Sequence, residues 1–158
     1  MAGFSVRREV AAPATTVWRL LTDWPAMSRW VPLTRVRSVP GPDGVGARFV
    51  GRTGVGPLGF DDPMTVTGWH PPSERDGGRC GVRKTGRVVL GDAWFVVQPL
   101  GADRCLVTWG EDVEVAVLRR LPLAGAATAL GGRLVFGTLL RAMAAEAEAA
   151  AAGGAGAA

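Results

Sequence analysis

The stretch CLVTWGEDVEV, residues 105–115, sets an acid where an alternating strand would set a core residue. Cys105, Val107, Trp109, Val113 and Val115 share one face with Glu111, whereas Leu106, Thr108, Gly110, Asp112 and Glu114 share the other. The first face is the more apolar, so it is expected to point inward and to carry Glu111 into the interior. An unpaired carboxyl there would have a raised pKa, the condition for a general acid or base. An ion pair with an inward arginine would make the same residue structural, and a bulge would turn it outward. The second candidate lies in CGVRKTGRVV, residues 80–89, where Gly81, Arg83, Thr85, Arg87 and Val89 alternate with Val82, Lys84, Gly86 and Val88. If the first set faces in, Arg83 and Arg87 could clamp an anionic or carbonyl-bearing ligand through bidentate hydrogen bonds. If it faces out, they are solvated strand arginines. Periodicity leaves both open.

Other chemistries lack their residues. His70 is the sole histidine and stands before a diproline, so neither a catalytic triad nor a multi-histidine metal site is expected. Asp61-Asp62 match no metal-ligand spacing and are expected to start the following strand in a turn-forming or capping role. The chain has no tyrosine to serve as a phenolic acid. GVGPLG, residues 54–59, is glycine-rich but precedes no helix, so it is a loop and not a phosphate cradle. No metal and no cofactor is expected. Cys80 and Cys105 form no redox motif. On strands separated by one other they would lie roughly 9–10 Å apart, too far for a disulfide.

At 158 residues, 47% hydrophobic and 20% charged, the chain suits one globular domain. Of its 18 cationic side chains all but Lys84 are arginine, and the formal charge is +4. These arginines are dispersed, in no run longer than Arg7-Arg8 or Arg119-Arg120, so nucleic acid is not an expected partner. MAGFSVRREV holds no apolar signal core, and a cytoplasmic setting is expected. The apolar stretch 121–140 carries Arg133 and is diluted by alanine and glycine. It reads as an amphipathic helix, and stable membrane insertion is not expected.

The elements that would position these residues follow from pattern. Residues 4–11 alternate as a half-buried strand. Val17, Leu20 and Leu21, widened by Trp18, give a short helix after Pro13. Asp23-Trp24-Pro25 breaks it and caps a second short helix ending before Pro32. Strands near 33–39, 46–53, 63–70, 80–89, 92–100 and 104–115 follow at hairpin spacing, then a long helix. Residues 149–158 read as a disordered Ala/Gly tail behind a single domain at 1–148.

That order, with APATTVWRLLTDWPAMSRW, DDPMTVTGWHPP, KTGRVVLGDAWFVVQPL and VTWGEDVEV, resembles the START-like, helix-grip (SRPBCC) superfamily of polyketide cyclases and lipid-transfer proteins. The resemblance covers residues 3 to about 147. It implies an α+β fold: a seven-stranded curved antiparallel sheet, two short helices after strand 1, and a long C-terminal helix over the concave face. It also implies a cavity between sheet and helix. The residues expected to line it are Trp30, Trp69, Trp94, Trp109, Glu111, Phe136, Leu140 and Met143, with Glu111 and Arg83 as candidate catalytic groups. Trp18 and Trp24 are expected mainly to pack, and Trp30 to reach the cavity mouth. Leu123, Ala127, Leu130 and Leu134 fall on one stripe of the last helix and Phe136, Leu139, Leu140 and Met143 on nearly the opposite one. A kink at Gly131-Gly132 is one way to reconcile them, with 118–132 gating the cavity and 136–147 anchored on the sheet; a second apolar surface is the other. The function expected is binding of a lipid-like or polycyclic molecule without catalysis. The alternatives are a polyketide cyclase/dehydrase-like enzyme and a protein-partner module using an arginine-rich surface. Oligomeric state is not legible.

Overall fold

The computed structural model describes residues 2–118 and 123–155. Strand β1 (Ala2–Val10) is followed by α1 (Ala14–Thr22), a 3-10 turn at Trp24–Ala26 and α2 (Met27–Trp30). Six strands come next: β2 (Thr34–Val39), β3 (Arg48–Thr53), β4 (Phe60–His70), β5 (Gly78–Thr85), β6 (Val89–Pro99) and β7 (Cys105–Val115). The long helix α3 spans Ala124–Ala155. The strands form one sheet in the order β1-β7-β6-β5-β4-β3-β2, every neighbouring pair antiparallel. This is the expected helix-grip architecture: β2 to β7 are a hairpin meander, and β1 closes the edge at β7.

One face of α3 explains how the helix can both pack and leave room. Positions 127, 128, 131, 132, 135, 136 and 139 face the space over the sheet, and Leu140, Met143, Ala144 and Ala147 continue that stripe as buried core. The spacing is that of one side of a straight helix. That side starts small, with Ala127, Thr128, Gly131 and Gly132, turns large at Val135, Phe136, Leu139, Leu140 and Met143, and ends on Ala144 and Ala147. Of the two alternatives the kink does not occur, since the helix runs unbroken through Gly131-Gly132; the leucines form a second apolar surface instead. Leu130 and Leu134 point to solvent, as does Leu123 before the first turn. The leucines misled the pattern because small residues, not large ones, face inward there. Gly132 has a packing reason: a Cβ on it would overlap the Phe4 ring, whereas one on Gly131 meets open space. Residues 119–122 of the expected gating segment lie outside the described residues.

Three further expectations change. Residues 149–155 of the expected disordered tail continue α3, since alanine favours helix and Ala151 still packs on the core. Asp61-Asp62 do not cap a strand; they lie inside β4, because the ladder to β3 extends through Asp62↔Gly51, Asp61↔Arg52 and Phe60↔Thr53. Asp23 stands at the expected cap position, but its carbonyl, not its side chain, receives the Ala26 N–H. Cys80 and Cys105 are free and buried on β5 and β7, with β6 between them. Burial pushes their thiols up to about 12 and about 11.

Candidate functional site: an apolar cavity with one charged pole

The concave face of the sheet, the corner at Trp24, Met27, Val31 and Pro32, and the first half of α3 surround a partly open cavity of about 520 Å³. That volume suits a small organic ligand. Its wall is largely apolar and strongly aromatic. Trp24 stacks on Phe49 at 4.1 Å between centroids, 5° from parallel. Opposite, Phe95, Trp109 and Phe136 stack in series at 5.6 and 5.0 Å, and Phe136 meets Phe4 at 5.6 Å. Phe60, Met64, Val36 and Val82 fill the wall between.

Strand parity places one polar cluster in that wall. On β5, Cys80, Val82 and Lys84 point inward while Arg79, Arg83 and Thr85 point out. Lys84, the chain's sole lysine, therefore occupies the position that Arg83 was expected to contest, and is only 9% exposed. Its ammonium donates to Asp62 Oδ2 at 2.8 Å and lies 3.6 Å from Glu111 Oε1. Asp62 is 8% and Glu111 5% exposed. The reach from β5 to β7 is open because β6 offers only Gly91 opposite Lys84 and Ala93 opposite Glu111. Trp109 Nε1 donates to Glu111 Oε1 at 3.4 Å. Among the described residues nothing donates to the second oxygen of Asp62, Oδ1.

Two carboxylates thus share one ammonium inside an apolar wall. Burial pushes the Glu111 carboxyl above the usual glutamate range; Lys84 and the Trp109 N–H pull it part of the way back, and Asp62 adds to the rise. Burial works against the charge on Lys84, but Glu111 and Asp62 outweigh it and hold the ammonium above its ordinary value. Lys84 is therefore a cation at neutral pH and not a nucleophilic amine.

The other expected site residues divide sharply. Trp109, Glu111 and Phe136 line the cavity with their side chains. Trp94 borders it through its backbone: its ring lies on the outer face, over Gly110 and beneath the Arg79 guanidinium at 5.6 Å. Trp69 is turned to the concave side by an irregularity between Val66 and Gly68, but there it packs edge-on against Trp18 at 5.1 Å, outside the cavity. Trp30 does not reach the cavity. Its Nε1 donates to Glu146 Oε2 at 2.9 Å, tying α2 to α3 beside the Arg29–Glu146 ion pair, and Trp24 lines the cavity instead. Leu140 and Met143 are buried in the core beyond the cavity's end. Arg83 is exposed and paired with Asp92, so it reaches no ligand in the cavity, and Arg87 lies in the turn between β5 and β6. Asp62 and Lys84 were missed, although a lone lysine in an otherwise all-arginine set was a usable signal.

No cluster that could hold a metal ion occurs among the described residues, and none of their helices is long and apolar enough to cross a membrane.

A curved antiparallel sheet and a long helix closing on an apolar cavity define the helix-grip, START-like class. The chain belongs to the family described as polyketide cyclase / dehydrase and lipid transport, whose sequence pattern matches residues 1–148. Solved structures share the fold at low identity. A START superfamily protein from Mycobacterium smegmatis superposes with a TM-score of 0.73 at 19% identity, over 94% of this chain and 98% of that one. The Zhui aromatase/cyclase from Streptomyces sp. R1128 gives 0.67 at 20% identity, over 92% and 93%. Human STARD10 gives 0.70 at 13% identity, over 89% of this chain and 62% of that one. No curated protein matches the sequence at a comparable level of significance.

Proposed function

We propose that the protein binds a lipid-like or polycyclic small molecule in the cavity beneath α3 and acts as a carrier or receptor for it in the cytoplasm. The observation that carries this reading is a largely apolar, aromatic cavity of about 520 Å³ whose charged groups are confined to a single cluster. Such a wall gives affinity through buried apolar area and orientation through few polar contacts. The family description, which joins cyclases with lipid transport, supports the same class of ligand. Native mass spectrometry of the purified protein tests it. A bound mass that organic extraction removes is the expected result; a protein that carries nothing and takes up no fatty acid or polycyclic hydrocarbon would overturn the reading.

A cyclase or dehydratase activity is the second reading, favoured by one observation: Glu111 is a buried carboxyl with a raised pKa beside a fixed cation. Lys84 would polarise a carbonyl and Glu111 would move the proton. Glu111→Gln should then keep ligand affinity while losing turnover of an aromatic polyketide; equal turnover would remove Glu111 from the chemistry. The arginine-rich partner surface has less behind it, because Arg29, Arg52, Arg83 and Arg104 are each paired with a carboxylate of this chain.

A further inference from the structure

The arginines that no carboxylate of this chain holds are not spread evenly over the fold. Arg35 and Arg37 of β2 and Arg48 and Arg52 of β3 are exposed on the outer face of the sheet, while Thr34, Val36, Phe49 and Gly51 of the same strands line the cavity. Arg35 stands directly opposite Arg52 in the ladder, and Arg37 is diagonal to Arg48. The next strand, β4, adds one acid to this face, Asp61, which Arg52 already holds at 3.0 Å; Pro63 and Thr65 complete its outward row. Asp43 stands in the turn between the two strands, beyond their paired ends. Among the described residues no carboxylate pairs with Arg35, Arg37 or Arg48. Four arginines against one acid account for most of the chain's formal charge of +4. The rest of the outer face is balanced, with Arg7, Arg79 and Arg83 set among Glu9, Asp92, Asp112 and Glu114. Like charges facing each other across a ladder are destabilising, so the cationic corner is kept at a cost that a bound anion removes.

We infer that the outer face of the β2–β3 hairpin docks an acidic segment of a partner protein. This goes beyond the ligand reading and does not rest on it, since the corner lies behind the cavity wall. Arginines two apart on a strand are about 6.6 Å from each other, close to the 6 Å that separates carboxylates one turn apart on a helix. Each guanidinium can take a carboxylate through two parallel hydrogen bonds. Between the arginines, the half-buried Val39, Val50 and Pro63 give an apolar floor with a cationic rim, the anatomy of a protein interface. Nucleic acid fits less well. Four arginines fall short of the roughly 6–10 phosphate contacts of a duplex binder, and no aromatic side chain stands among them to stack bases.

The test follows the fluorescence anisotropy of a labelled helical peptide with glutamate at every fourth position, at low salt, beside the same peptide carrying glutamine. The glutamate peptide should bind and the glutamine peptide should not, and added salt should weaken the binding. The triple variant Arg35→Gln, Arg37→Gln, Arg48→Gln should lose at least about tenfold in affinity. Arg7→Gln, Arg75→Gln, Arg79→Gln removes the same charge from exposed arginines elsewhere and should stay within about twofold of wild type. Thermal melts report that both variants fold. If the first does not, amide shifts of the wild type on adding the glutamate peptide decide, and they should cluster at 34–39 and 48–53. Equal weakening in the two triple variants, or shifts spread over the whole molecule, would reduce the effect to net charge and overturn the inference. Tighter binding of a single-stranded oligonucleotide than of the glutamate peptide overturns it in favour of nucleic acid, and no binding of the peptide overturns it outright. None of these outcomes touches the reading of the cavity.

Discussion

The residues that decide this protein's chemistry are three charges where an apolar wall was expected to hold one. Glu111 was legible because its neighbours at two-residue spacing are apolar. Asp62 and Lys84 were not, since each depends on where a strand begins or which face a strand presents. On β5 the alternation of Val82 and Lys84 against Arg83 and Thr85 left the parity of the strand open, and with it the burial of Lys84. The shift on Glu111 has a direct consequence for stability. A carboxyl whose folded pKa lies above its unfolded value binds its proton more tightly in the native state, so stability falls as pH rises from the ordinary glutamate range through the raised value. Glu111→Gln removes that loss and leaves Lys84 balanced by Asp62. The variant should therefore melt above wild type at neutral pH, and the gap should close as pH drops into the ordinary glutamate range. A variant less stable than wild type at neutral pH would mean that Lys84 stabilises the Glu111 anion more than burial opposes it.

At the scale of elements, α3 does two jobs with one face. Its inward side runs from Ala127 to Ala151 without a break: small at Ala127, Thr128, Gly131 and Gly132 over the cavity, large from Val135 to Met143, and alanine beyond. Pattern reading weights leucine, and so chose the wrong side of the first half; a cavity-forming helix is recognised by small residues in the register of its core residues. The glycine pair divides accordingly. Gly131→Ala meets open space in a helix interior and should stabilise the protein by about 0.5–1 kcal/mol. Gly132→Ala collides with the Phe4 ring and should destabilise it, both read from thermal or urea melts. The same division predicts uneven exchange. Amides of 126–132, over the cavity, should exchange faster than those of 139–147, whose Leu139, Leu140 and Met143 are buried in the core. Equal protection across the two halves would show that the cavity does not loosen the helix above it. The strands teach a parallel lesson: the existence of all seven follows from alternation and turn residues. The positions of Asp62 and Trp69 depend on where β4 begins and on its irregularity near Thr67, which composition does not reveal.

For the whole molecule, the fold and its family were readable from element order, because a strand, two short helices, a six-strand meander and a long helix leave few ways to bury both faces. The cavity's lining was less readable. Trp30 and Trp69 are on the concave side yet pack among the helices, and Trp94 crosses to the outer face through strand parity. Large aromatics mark where a core must be, whereas a cavity is defined by what is small around it. Ala93 is the sharpest handle on that space. It is buried on β6, opposite Glu111 in the ladder and two residues from Phe95, with nothing but a methyl group facing the cavity. Ala93→Trp should fill the centre of the cavity and can be checked for folding by its melt. The most direct measurement is the affinity of pyrene for wild type and for Ala93→Trp by tryptophan-to-pyrene energy transfer. Saturable binding to wild type, weakened at least about tenfold in a folded Ala93→Trp, is the predicted result. Equal affinity of the two proteins would contradict the claim that the ligand lies between the sheet and α3.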